Sequence, residues 1–156
     1  MRRYAAAMAD DVQVLTDRLE IESLLTSYAW ALDHKQFDGL DAVFTPDAFI
    51  DYTSAGGIKG QFPEVKAWLA QVLPNFSAYQ HLVTNKQIEL DGDTATSIAG
   101  FYNPMVQTKK DGTTSTFYVG GEYHDKLVRT GDGWRITERV EQTVWTDGAL
   151  PAEPPT

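Results

Sequence analysis

The 156 residues suit one domain, and a chain of that length can bury roughly 70% of its unfolded surface, enough for a core and an internal cavity. Apolar residues make up 42% and charged residues 22%, with 7 Phe, 7 Tyr and 4 Trp, which excludes a disordered or fibrous chain. Thirteen Lys and Arg against 22 Asp and Glu give a net charge of −9, which argues against a nucleic-acid partner, because that binding depends on neutralising phosphates.

Residues 1–10 carry two Arg and then Tyr4-Ala5-Ala6-Ala7-Met8-Ala9, too short and too weakly apolar for a signal-peptide core, and are expected to form a flexible amino terminus. Over residues 11–32, Leu15, Ile21, Leu24, Leu25, Tyr28 and Leu32 recur at three- and four-residue steps without Gly or Pro, the pattern of a long amphipathic helix. Asp38 is the expected cap of a short second helix over 38–44, stopped before Pro46. Residues 48–53 read as a strand and 54–60 as a loop. Pro63 opens a third helix, with Val65, Trp68, Leu69 and Val72 on one side until Pro74 ends it.

Beyond Pro74 the chain turns β-branched and aromatic, broken by Gly-containing turns at 91–93, 111–112 and 131–133. Four strands are expected, over 80–90, 94–108, 113–129 and 134–146. Gly120-Gly121 in mid-strand fits a bend that lets the sheet curl. The fold class is therefore α+β: a cone-like α+β barrel, with three amino-terminal helices packed on a strongly curved antiparallel or mixed sheet. Its domain spans 11–147, and 148–156, with three Pro, reads as a loose tail. No apolar run reaches membrane-spanning length, so the expected location is cytoplasmic, with no membrane partner. Zero cysteines and three scattered His (34, 81, 124) point to no metal and no cofactor.

Asp33 stands on the edge of the first helix's apolar stripe, near a carboxyl end where the macrodipole disfavours a carboxylate. Either it has a partner or the helix has ended and it is a solvated turn residue. His81 opens an apolar strand, a position that suits a packed core histidine as well as a catalyst. Hydrogen-bonded to a carboxylate, such a histidine has its tautomer fixed and its cation stabilised, and can take a proton near neutral pH. Tyr28 and Tyr52 share the inward faces of their helix and strand. A buried phenol needs a hydrogen-bond partner, which packing or a substrate oxygen can supply. Tyr118, before the glycine bend, is a candidate of the same kind. Arg139 and Gln142 lie on opposite parities of the last strand unless a bulge intervenes, so one of them lines a pocket or both serve a solvated face.

The segment from Tyr28 to Tyr52, with Asp33-His34-Lys35-Gln36-Phe37-Asp38 and Ile50-Asp51-Tyr52, resembles the start of SnoaL-like proteins in the nuclear-transport-factor-2-like superfamily. Gln80-His81, Gly121-Glu122-Tyr123 and Gly133-Trp134-Arg135-Ile136 extend the resemblance over roughly residues 12–146. Within the superfamily the chain is similar to scytalone dehydratase, bile-acid 7α-dehydratase and hexachlorocyclohexane dehydrochlorinase. That resemblance implies a cofactor-independent lyase acting on a hydrophobic cyclic, polyketide-like or steroid-like small molecule. His81 would remove a carbon-bound proton and Asp33, 48 positions earlier, would orient its ring. Tyr28, Tyr52, Tyr118, Arg139 and Gln142 would bind substrate. The second catalytic histidine of scytalone dehydratase has no counterpart, and Leu32 replaces the tyrosine before its aspartate. An isomerase or cyclase, and a non-catalytic ligand-binding or assembly module, are the alternatives. A homo-oligomer is expected, a trimer before a dimer.

Overall fold

The computed structural model describes residues 2–109 and 111–148, so the expected tail lies outside the described residues from 149 onward. The first helix, α1 (Arg2–Asp33), begins nine residues before the apolar periodicity predicts. Ile21, Leu25, Tyr28 and Leu32 form its buried face. It ends because Lys35 adopts a left-handed conformation (φ 57°) while the Gln36 N–H donates to the Ala31 carbonyl, so Asp33 is the last helical residue. Earlier along α1, the buried Asp17 carboxylate accepts hydrogen bonds from Arg129 (2.6 Å) and the Trp134 indole (3.2 Å), and Arg18 donates to the Ile88 carbonyl. These bonds lock the helix across the sheet.

The expected second helix is a 3-10 helix over Phe37–Ala42, and its cap position is Gln36 instead of Asp38. Asp38 and Asp41 both pair with Lys66 of α2 (Phe62–Val72), which accounts for their placement. Strand β1 (Phe44–Asp51) starts four residues earlier than expected: Phe44 pairs with Ile136, and Pro46 falls in the irregular stretch between Phe44 and Phe49 where the register shifts. The expected loop contains a 3-10 turn (Thr53–Ala55) and a short strand β2 (Lys59–Gln61) paired with β1. Pro74 lies inside a final 3-10 turn, Leu73–Asn75.

The rest of the sheet comprises β3 (Ala78–Tyr79), β4 (Leu82–Asp91), β5 (Thr94–Thr108), β6 (Thr114–Thr130) and β7 (Gly133–Asp147). Its order is β2-β1-β7-β6-β5-β3, with β4 pairing with the other half of β5. Pairing is antiparallel except between β1 and β7, so the seven-stranded sheet is mixed and open, not a closed barrel. Gly120 and Gly121 mark a register shift between β6 and β7, as the bend requires. The helices pack on the inner side of this curved sheet, giving the cone-like α+β architecture. Among the described residues, no helix is long and apolar enough to cross a membrane.

Candidate active site

The end of α1 and the junction of β3 with β4 bring Asp33 and His81 together. Asp33 Oδ1 accepts a hydrogen bond from His81 Nδ1 at 2.7 Å, and its two oxygens share the His81 backbone N–H, each at 3.0 Å. The carboxylate at the helix end thus gains donors that offset the unfavourable macrodipole. Both side chains are largely buried, 7% exposed for His81 and 17% for Asp33. With Nδ1 committed to Asp33, Nε2 is the ring nitrogen left outside that bond. Asp33 and His81 line a groove of about 700 Å³ together with Trp30, His34, Gln80 and Leu82. Trp30 and His34 stack over each other, ring centroids 4.2 Å apart. Tyr79 braces the junction: its hydroxyl donates to the Leu32 carbonyl, and burial, with Asp33 nearby, pushes its phenol up to about 12.

Tyr28 joins this pair to the core, its ring 6.5 Å from that of His81, centroid to centroid. Its hydroxyl shares a 2.8 Å hydrogen bond with that of Tyr52. Arg139, wholly buried, lies over the rings of Tyr28 (4.2 Å) and Tyr123 (4.4 Å) and donates twice to Asp125, at 2.7 and 2.8 Å. Burial disfavours the guanidinium charge, but the Asp125 carboxylate outweighs it and holds the pKa above its ordinary value. Burial also raises the phenols of Tyr28, Tyr52 and Tyr123, so all three keep their protons at neutral pH. Here a phenol can donate a hydrogen bond to an oxygen that gains charge.

Of the seven residues singled out from the sequence, Asp33, His81, Tyr28, Tyr52 and Arg139 form one continuous set of contacts. Tyr118 and Gln142 do not join it. Between the inward Phe117 and Val119, Tyr118 points to the outer sheet face, where it stacks with Tyr102. Gln142 follows the inward Glu141 in β7 and is exposed, so of Arg139 and Gln142 only the arginine reaches the interior. Sequence reasoning missed Asp125, Tyr123, Glu141 and Asn103, all buried. A signal existed: Tyr123, Asp125 and Leu127 alternate along β6, which places an acid on the apolar face opposite Arg139. No group of three or more His, Cys, Asp or Glu able to hold a metal ion is found among the described residues.

Comparison with known proteins matches this architecture. An uncharacterized protein of Mycobacterium tuberculosis is 49% identical over 130 residues, covering 83% of this chain and 87% of its own. The crystal structure of the Kfla4162 protein from Kribbella flavida superposes with a TM-score of 0.78 at 29% identity, over 86% of this chain and 95% of that one. The hexachlorocyclohexane dehydrochlorinase LinA-type3 of Novosphingobium barchaimii shares the fold, with a TM-score of 0.74 at 19% identity over 92% of this chain and 96% of that one. The SnoaL-like domain model matches residues 13–140, and the chain belongs to that family.

Proposed function

We propose that the protein is a cofactor-independent lyase performing a dehydratase-type elimination on a hydrophobic cyclic small molecule, polyketide-like or steroid-like. The observation that carries this reading is the double clamp of Asp33 on His81 at the wall of a groove. His81 Nε2 takes the proton from a carbon next to a carbonyl, and Asp33 fixes the ring and stabilises the imidazolium. Of the hydrogen-bonded Tyr28 and Tyr52, the hydroxyl that accepts from the other donates its own proton to the oxygen that gains charge. An elimination is also what the name of the structurally similar dehydrochlorinase describes.

The test is turnover of a panel of cyclic β-hydroxy ketones, followed by the absorbance of the conjugated product. His81→Ala is expected to lower kcat by about 10²–10⁴-fold and Asp33→Asn by a smaller factor. A substrate deuterated at the α-carbon should slow the reaction. Full turnover by either variant would overturn the assignment. The same reading includes a homotrimer associating through the outer sheet face, where Tyr118 stacks on Tyr102 and Trp145 tilts against Tyr102. Sedimentation equilibrium tests it, and a monomeric mass would remove that part.

A further inference from the structure

The Asp33–His81 pair leaves unexplained a set of polar groups buried behind it. Glu141 stands on the inward parity of β7, two residues past Arg139 and directly opposite Tyr123 of β6. It is 8% exposed, and its Oε1 has no hydrogen-bond partner within the protein. Arg139 Nη1 and Asn103 Oδ1 are buried and unpartnered as well. One such atom costs a folded protein about 1–3 kcal/mol, so three around the Tyr28–Tyr123 pair point to a group that satisfies them when it binds. A guanidinium N–H, an amide oxygen and a carboxyl group together suit a hydroxyl or carbonyl oxygen, and no purely apolar ligand would satisfy them.

We propose that Glu141 is a catalytic acid that gives its proton to a departing hydroxyl group, held by Arg139 Nη1 and Asn103 Oδ1. This rests on the reading of His81 as the base. His81 Nε2 takes the α-proton, and the C–H electron pair becomes the new C=C bond. The C–O bond breaks, its electron pair staying on oxygen, which accepts the Glu141 proton and leaves as water. His81 then returns its proton to solvent and Glu141 regains one from solvent, so the net change is loss of water. The substrate class is a cyclic compound with a hydroxyl β to a carbonyl; a halide leaving group needs no such acid.

Placement agrees with these roles. The Tyr28 ring links the two neighbourhoods, its centroid 6.5 Å from that of His81 and 5.7 Å from that of Tyr123, the residue opposite Glu141. The charged and titratable groups facing Glu141 are Tyr28 from α1, Asp51 from β1, Tyr123 from β6 and Arg139 from β7. Burial pushes its carboxyl up to about 7, against the pull of Arg139, so a proton is held there in mildly acidic solution.

The experiment compares wild type, Glu141→Gln and His81→Ala on a cyclic β-hydroxy ketone and on its acetate ester, whose leaving acetate needs no proton. Glu141→Gln should slow the hydroxy ketone by about 10²–10⁴-fold and leave the acetate near the wild-type rate. Equal slowing of both compounds, or none, would overturn the acid role. Should His81→Ala keep both activities while Glu141→Gln still discriminates, the base assignment falls and the acid assignment stands. Infrared spectroscopy at pH 6 needs no substrate: the protonated-carboxyl band of wild type should vanish in Glu141→Gln. If wild type shows no such band, the proposal fails, provided circular dichroism confirms that both proteins are folded.

Discussion

The hydroxyls of Tyr28 and Tyr52 partner each other across 24 positions of chain, at 2.8 Å and with both rings buried. Replacing either tyrosine by phenylalanine strands the remaining hydroxyl, at a cost of about 1–3 kcal/mol. Replacing both removes donor and acceptor together, so the double variant should lose less than the sum of the singles, with a coupling of about 0.5–3 kcal/mol. Urea unfolding of the four proteins measures it, and additive losses would show that the bond adds nothing. Both tyrosines were legible in the sequence, because each shares its parity with strongly apolar neighbours. Arg139 was legible only as one of two, since parity separates it from Gln142 without saying which faces inward. Asp125 settles that question, and its own signal lay in the alternation of β6. Glu141 was harder to see, because a carboxylate two residues from an arginine reads equally well as a solvated strand face.

The elements differ in legibility for a physical reason. Helix α1 carries its apolar stripe within one local period, whereas β1 owes its early start and its direction to β7, about ninety positions away, and parallel pairing leaves no turn between the partners to announce it. The bend at Gly120-Gly121 is the exception, a non-local feature with a local mark. A Cβ added at Gly121 would run into the Gln142 carbonyl oxygen and the Phe101 ring, and the first of these is backbone that cannot swing aside. Gly121→Ala should therefore cost about 1–3 kcal/mol through overpacking. Gly131 has nothing near its would-be Cβ, so Gly131→Ala should stay within about 0.5 kcal/mol of wild type. Equal midpoints for the two variants in urea would show that the bend tolerates a side chain.

Across the whole molecule, two buried carboxyls pull the pH dependence of stability in opposite directions. The carboxyl of Asp17 is held down to about 2, first by its hydrogen bonds from Arg129 and against the opposing effect of burial. A depressed pKa stabilises the fold above the unfolded value of 3.8, and that contribution, about 2 kcal/mol, is lost as pH falls through 2. Glu141 behaves in the reverse sense. Its carboxyl rises from 4.5 to about 7, so the folded chain holds a proton that the unfolded chain releases, and the associated stability is complete below 4.5 and lost as pH rises through 7. That loss amounts to about 3 kcal/mol. Together the two groups put their joint plateau between about pH 4 and 4.5. Thermal unfolding from pH 3 to 9 should show wild type weakening between about 5 and 7.5, and Glu141→Gln, which has no proton to lose, should be flat over that interval. A variant that keeps the wild-type slope there would assign the lost proton to another group and leave Glu141 ionised inside the fold.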